Sequence, residues 1–80
     1  MKVRLTSLER RALAELVRRV DPSDTVGVPA SYIAALLREP TTDVFLALRR
    51  LARYGHVADR PGADVTAFLP TAKGRKEVQS

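Results

Sequence analysis

The chain has no cysteine and only one histidine, His56, in 80 residues. Disulfides and thiolate metal sites are therefore excluded, and one imidazole cannot build a metal centre alone. No apolar run approaches the roughly 18–20 residues that a bilayer span needs, and the opening MKVRLTSLERR holds no apolar stretch of the secretory kind. A soluble cytoplasmic protein without a metal or cofactor is expected. There is no glycine-rich phosphate loop, the carboxylates are scattered, and no serine or cysteine lies in the segment of the lone histidine. No nucleophile has an evident base, so an enzyme is not expected. A chain this short removes only roughly 60–65% of its unfolded surface from water, which predicts a single domain with a thin core.

Positive charge is plentiful. Fourteen Lys and Arg outnumber nine Asp and Glu for a net charge of +5, and eleven of the fourteen are arginine. Such an excess favours polyanions. The question is where the chain concentrates it.

Taken in order, residues 1–5 set Lys2 and Arg4 between Val3 and Leu5, a pattern open to a short strand, a packed or phosphate-touching arm, or a frayed end. Thr6 and Glu9 stand as T-x-x-E, a capping box that starts a helix over about residues 6–20. Leu8, Ala12, Leu13, Leu16, Val17 and Val20 form its apolar stripe, with Glu9, Arg10, Arg11, Glu15, Arg18 and Arg19 opposite. Arg11 and Glu15, four apart, can pair across the solvated face. Asp21-Pro22 stops the helix, because proline has no backbone donor and disfavours helical geometry before it.

Thr25-Val26-Gly27-Val28 has room for a strand of two or three residues. Pro29 suits a first helical turn, and Ile33, Leu36 and Leu37 share a face, predicting a second helix over about residues 29–38. A third follows over about residues 41–54, with Asp43 against its positive end and a break of only a few residues between the two. Two helices so closely joined must cross steeply, which is the helix-turn-helix arrangement. In the third helix Val44, Leu48 and Leu51 lie within about 40° of one another at 100° per residue. Thr42, Leu46, Arg49, Arg50 and Arg53 fall on the far side, and Gly55 supplies a left-handed stop.

Val57–Arg60 and Val65–Leu69 read as two short strands joined by Pro61-Gly62-Ala63-Asp64, a hairpin over about residues 57–69. Either Val65, Ala67 and Leu69 or Thr66 and Phe68 face the core; burial of the larger ring favours Phe68. Thr71 caps a short helical turn over residues 71–78. The fold class expected is mainly α with a small β-hairpin (α+β), a three-helix winged helix-turn-helix.

Ile33-Ala34, then Val44, Leu48, Leu51, Gly55 and Val57, resembles the I-A…V…L-x-x-L-x-x-x-G-x-V frame of winged helix-turn-helix domains. Thr71-Ala72-Lys73-Gly74-Arg75 is similar to the T-x-x-G-R that closes the wing in MarR- and PadR-like bacterial regulators. The turn departs from the family: Arg38-Glu39-Pro40 stands where glycine and an apolar residue are usual. The resemblance implies a DNA-binding bacterial or phage transcription regulator whose third helix enters the major groove. The matching positions are Thr42, Asp43, Phe45, Leu46, Arg49 and Arg50, with Arg53 on the same side and Arg60 on the wing. Members of the family dimerise through helices outside the winged core. Nine residues follow Thr71, so pairing by that route is not expected; pairing on DNA, or a homodimer through the Phe45/Leu46 face that then binds DNA, stays open.

The arginines are the candidates for phosphate contact, against the plainer reading of a solvated face. Lys73, Arg75 and Lys76 either flank the duplex or solubilise the tail. His56 reads as a surface residue at a helix end and Tyr54 as a partly buried ring. Phe45 and Leu46, if both exposed, would form an apolar patch able to bind a protein partner, a second use of the same face. If Phe45 turns into the core, only Leu46 needs explaining.

Overall fold

A computed structural model describes residues 4–62 and 64–79. Lys2 of the expected arm and Ala63 of the expected turn lie outside the described residues. The first helix, α1 (Ser7–Arg19), begins at the expected capping box: Glu9 N–H donates to Thr6 Oγ1 at 3.1 Å, and Thr6 N–H donates to Glu9 Oε1 at 3.0 Å. Two of the orphan donors of the first turn are thereby satisfied. Ala12, Leu13, Leu16 and Val20 are fully buried, as the stripe requires.

Two readings of α1 fail. Glu9, placed on the solvent side, is only 2% exposed, because the capping box turns its carboxylate inward toward α3. Arg11 does not pair with Glu15. Arg19 takes that carboxylate (Nε to Oε1, 2.9 Å), while Arg11 reaches the turn between the next two helices. After Val20, Asp21 Oδ1 accepts from Ser23 N–H and Ser23 Oγ, which holds the Asp21 carboxyl below the usual carboxylate range. The sign follows from linkage: this contribution is present above the ordinary Asp range and is lost as pH falls through the lowered value.

Strand β1 (Val28–Pro29) precedes α2 (Ala30–Leu37), so Pro29 sits at the N-cap rather than inside the first turn. Helix α3 (Thr41–Arg53) follows after three residues. The turn between them is built without glycine: Arg38 itself takes the left-handed conformation, φ 57° and ψ 45°. Arg11 spans the gap, donating to Glu39 Oε2 at 2.9 Å and to the Leu37 carbonyl at 3.1 Å. Arg38→Gly is expected to raise stability by about 0.5–1 kcal/mol, since relief of a left-handed L-residue exceeds the added freedom of the unfolded chain. The denaturation midpoint checks this; a fall would mean that the Arg38 side chain anchors the turn.

Gly55, at φ 86°, ends α3 as expected. The chain then enters β2 (Val57–Pro61) and β3 (Thr66–Pro70), which form an antiparallel sheet of order β1-β3-β2. Residues in register share a face, so Val28, Phe68 and Asp59 stand on one side and Pro29, Ala67 and Arg60 on the other. Phe68 is completely buried and meets Leu13, Leu16, Ile33, Val44, Leu48 and Leu51 in one core cluster, which settles the strand's orientation.

The closing turn is a full helix, α4 (Ala72–Gln79). Thr71 Oγ1 accepts from Gly74 N–H at 3.0 Å and donates to the Gly55 carbonyl at 2.6 Å. Lys73 Nζ donates to the Tyr54 carbonyl and Arg75 to the Val20 carbonyl, both at 2.7 Å. These two cations therefore satisfy carbonyls at the ends of α3 and α1, a structural use of residues first read as tail or duplex contacts. His56 is also corrected: it is 4% exposed rather than superficial, because α4 lies over it, with Gly74 against its carbonyl. Tyr54 is half-buried as expected, its ring 6.5 Å from the imidazole.

Candidate nucleic-acid interface

Helix α3 sorts its side chains sharply. Val44, Ala47, Leu48 and Leu51 are buried, and Thr42, Asp43, Leu46, Arg49, Arg50 and Arg53 are exposed. At 3.6 residues per turn the exposed set makes one continuous face. Asp43 lies in the first turn and Arg50 and Arg53 in the last, each sign beside the complementary end of the helix dipole. Six of the seven residues expected to meet DNA are thus brought together by a single element.

Two of the arginines are steered. The Arg49 guanidinium carbon lies 5.8 Å from the centre of the Phe45 ring, a cation–π distance. Arg50 places a guanidinium nitrogen 3.6 Å from Glu9 Oε2, although its own side chain is 61% exposed. Glu9 therefore uses one carboxylate oxygen to cap α1 and directs the other at the base of an exposed cation. Sequence reasoning missed this role, and the signal was in the pattern: a capping-box glutamate must fold back toward its helix start, which here packs beside α3. Glu9→Gln keeps a side chain able to close the capping box but removes the charge. A loss of about 1 kcal/mol in unfolding free energy is expected, and unchanged stability would show that the carboxylate charge is idle.

The seventh residue stands apart. Arg60 is exposed on the outer face of the sheet, opposite Ala67, and its guanidinium donates to the Thr25 carbonyl in the loop before β1. The remaining apolar candidate also separates from its neighbour. Phe45 is half-buried, its ring packed edge-on against Phe68 at a centroid distance of 5.9 Å. Leu46 is 53% exposed. The supposed two-residue apolar patch is therefore one core-facing ring and one exposed leucine.

Beside α3 an open, mostly apolar cleft of about 260 Å³ is lined by Ala30, Ser31, Thr41, Thr42, Phe45 and Val65, among others. Among the described residues no group of three or more His, Cys, Asp or Glu side chains is placed to hold a metal, and no helix is long and apolar enough to cross a membrane.

Three helices, a tight turn between the second and third, and a hairpin paired with a short strand before the second define a winged helix-turn-helix fold. Solved structures agree. The chain superposes on Lactococcus lactis ZitR (TM-score 0.76, 20% identity, 99% of this chain and 51% of that one). It also matches MepR, a transcription regulator of the Staphylococcus aureus multidrug efflux pump MepA (0.76, 24%, 94% and 53%), which has also been solved with DNA. A third match is AF1382 from Archaeoglobus fulgidus (0.79, 19%, 94% and 80%). At these identities the likeness is one of fold, and this chain spans about half the length of ZitR and MepR. No protein-family model and no curated protein matches the sequence.

Proposed function

We propose that this chain is a DNA-binding winged-helix protein, a small bacterial or phage transcription regulator that reads duplex DNA with α3 and steadies itself with the wing. The observation that carries the reading is the exposed face of α3, where Arg49, Arg50 and Arg53 stand with Thr42, Asp43 and Leu46 on the element that follows the tight turn. The arginines supply phosphate contact and guanine recognition, Asp43 can accept from a cytosine amino group, and the net charge of +5 draws the chain toward duplex. The fold shared with MepR, a transcription regulator solved in complex with DNA, supports the same assignment. Arg60 near the end of β2 is the wing's contribution to the adjacent backbone, once its guanidinium exchanges the Thr25 carbonyl for a phosphate. One copy presents one recognition helix, so tight binding calls for two copies on neighbouring half-sites about one helical turn apart.

The adaptor alternative, in which the same face captures a protein, keeps Leu46 as its apolar centre, while the half-buried Phe45 turns away from it toward Phe68 and the cleft beside α3. An enzyme is not proposed, since the face holds no nucleophile with a base beside it. The test is enrichment of duplexes from a random-sequence pool by the purified protein. Recovery of a shared motif supports the regulator, whereas a pool that stays random through successive rounds rejects sequence-specific reading.

A further inference from the structure

Leu46 is the residue on the α3 face that phosphate chemistry does not explain. It lies near the middle of the exposed arc, four residues after Thr42 and three and four before Arg49 and Arg50, so on a helix these are its direct neighbours. Burying a leucine side chain against a partner is favourable, and Leu46, 53% exposed, stands at the centre of the face that the recognition reading turns toward DNA. Two occupants would cover it: an apolar pocket on a protein, or a methyl group in the major groove.

The structure favours the second. A protein hot spot needs a cluster of apolar side chains with a surrounding rim; the half-buried Phe45 ring packs edge-on against Phe68 beneath the Arg49 guanidinium, and what it leaves open faces a cleft that Leu46 does not line. What remains is a single isobutyl group framed by cations. In the major groove the thymine C5-methyl is the apolar group presented by the standard base pairs, and guanine O6 and N7 beside it accept from arginine. The rise of 1.5 Å per residue sets Arg49 and Arg50 about 4.5–6 Å along the axis from Leu46, which is one to two base-pair steps of roughly 3.4 Å.

We infer that Leu46 reads a thymine methyl group, and that the recognised site carries a thymine with a guanine within about two base-pair steps of it. The inference rests on the proposed DNA-binding reading and adds to it the identity of a base.

The test uses the duplex enriched from the random pool, resynthesised with deoxyuridine replacing thymidine at one position at a time, so that only a methyl group is removed. Native protein is expected to lose about fourfold in affinity at one position per half-site. Leu46→Ala is expected to bind thymidine and deoxyuridine at that position equally well. Leu46 is exposed, so a thermal melt matching the native one confirms that the variant is folded. Deoxyuridine without effect at every position, with DNA binding intact, overturns the role of Leu46 and leaves the regulator standing. Undiminished sensitivity in Leu46→Ala assigns the methyl contact to another residue and overturns it too. Failure of the native protein to enrich any duplex overturns the DNA-binding reading together with this one.

Discussion

Gly74→Ala is expected to destabilise the protein by about 2–3 kcal/mol, lowering its melting temperature by roughly 10–20 °C. Two effects compete at this position and differ in sign. Gly74 lies within α4, where alanine would ordinarily stabilise a helix by about 1 kcal/mol through propensity alone. Its α-carbon, however, is pressed against the strand-entry segment after α3. A methyl group there would overlap the His56 carbonyl oxygen, and would stand 2.9 Å from the carbonyl carbon and 3.2 Å from Leu13 Cδ1. Those are backbone atoms and a buried side chain, so neither can swing aside. Packing therefore outweighs propensity, and α4 must lift, taking with it the bonds from Lys73 to Tyr54 and from Arg75 to Val20. Thermal or urea unfolding reads the outcome; a stabilised variant would show that α4 does not dock where described.

The second large effect is expected at Phe68. Truncation to alanine removes the largest fully buried side chain and should cost about 3–5 kcal/mol. A domain of this length has only about 4–12 kcal/mol to lose, so Phe68→Ala should be marginally folded at 37 °C. Phe68→Leu, which keeps most of the volume, should cost no more than about 1.5 kcal/mol. The site feels the change because Phe68 supports the Phe45 ring, and Arg49 lies over that ring. In Phe68→Leu, DNA affinity should therefore fall at temperatures where circular dichroism still reports native helix content. Native-like stability of Phe68→Ala would contradict the placement of β3 over the core.

The sequence carried most of this architecture because its local signals agreed. The capping box at Thr6, the stop at Gly55, the stripe from Val44 to Leu51 and the hairpin around Pro61-Gly62 each name an element without reference to the others. The alternation in β3 left two faces open, and burial of the larger ring pointed to the one observed, with Phe68 inside. What could not be read was whatever depended on two distant segments meeting. Glu9 looks like a surface acid until α3 lies beside it, and Arg11 looks like half of an intrahelical pair until Glu39 comes within 2.9 Å.

His56 looks superficial until α4 covers it, and the T-x-x-G-R run looks like a signature with basic decoration. In the fold its threonine caps, its glycine makes room and its arginine closes α1. The turn at Arg38 belongs to the same class. A family pattern leads one to expect glycine, and the chain keeps the left-handed geometry with arginine instead, under a clamp from Arg11. The candidate site was more legible than these contacts, because one helix carries six of its seven residues and helical periodicity alone gathers them. Arg60 sits on another element, and sequence could not show that its guanidinium meets Thr25.

The central claim is that the exposed face of α3 is a phosphate- and base-contacting surface. It is tested most directly by the salt dependence of duplex DNA binding, measured for the native protein and for Arg49→Gln/Arg53→Gln. Each phosphate contact contributes about 0.9 to the slope of log affinity against log salt. The account predicts tight binding at low salt, a steep decline as salt rises, and a slope shallower in the double variant by about one unit if Arg49 meets a guanine and about two if it meets a phosphate. Equal slopes in the two proteins, or no binding by the native chain at low salt, would contradict it.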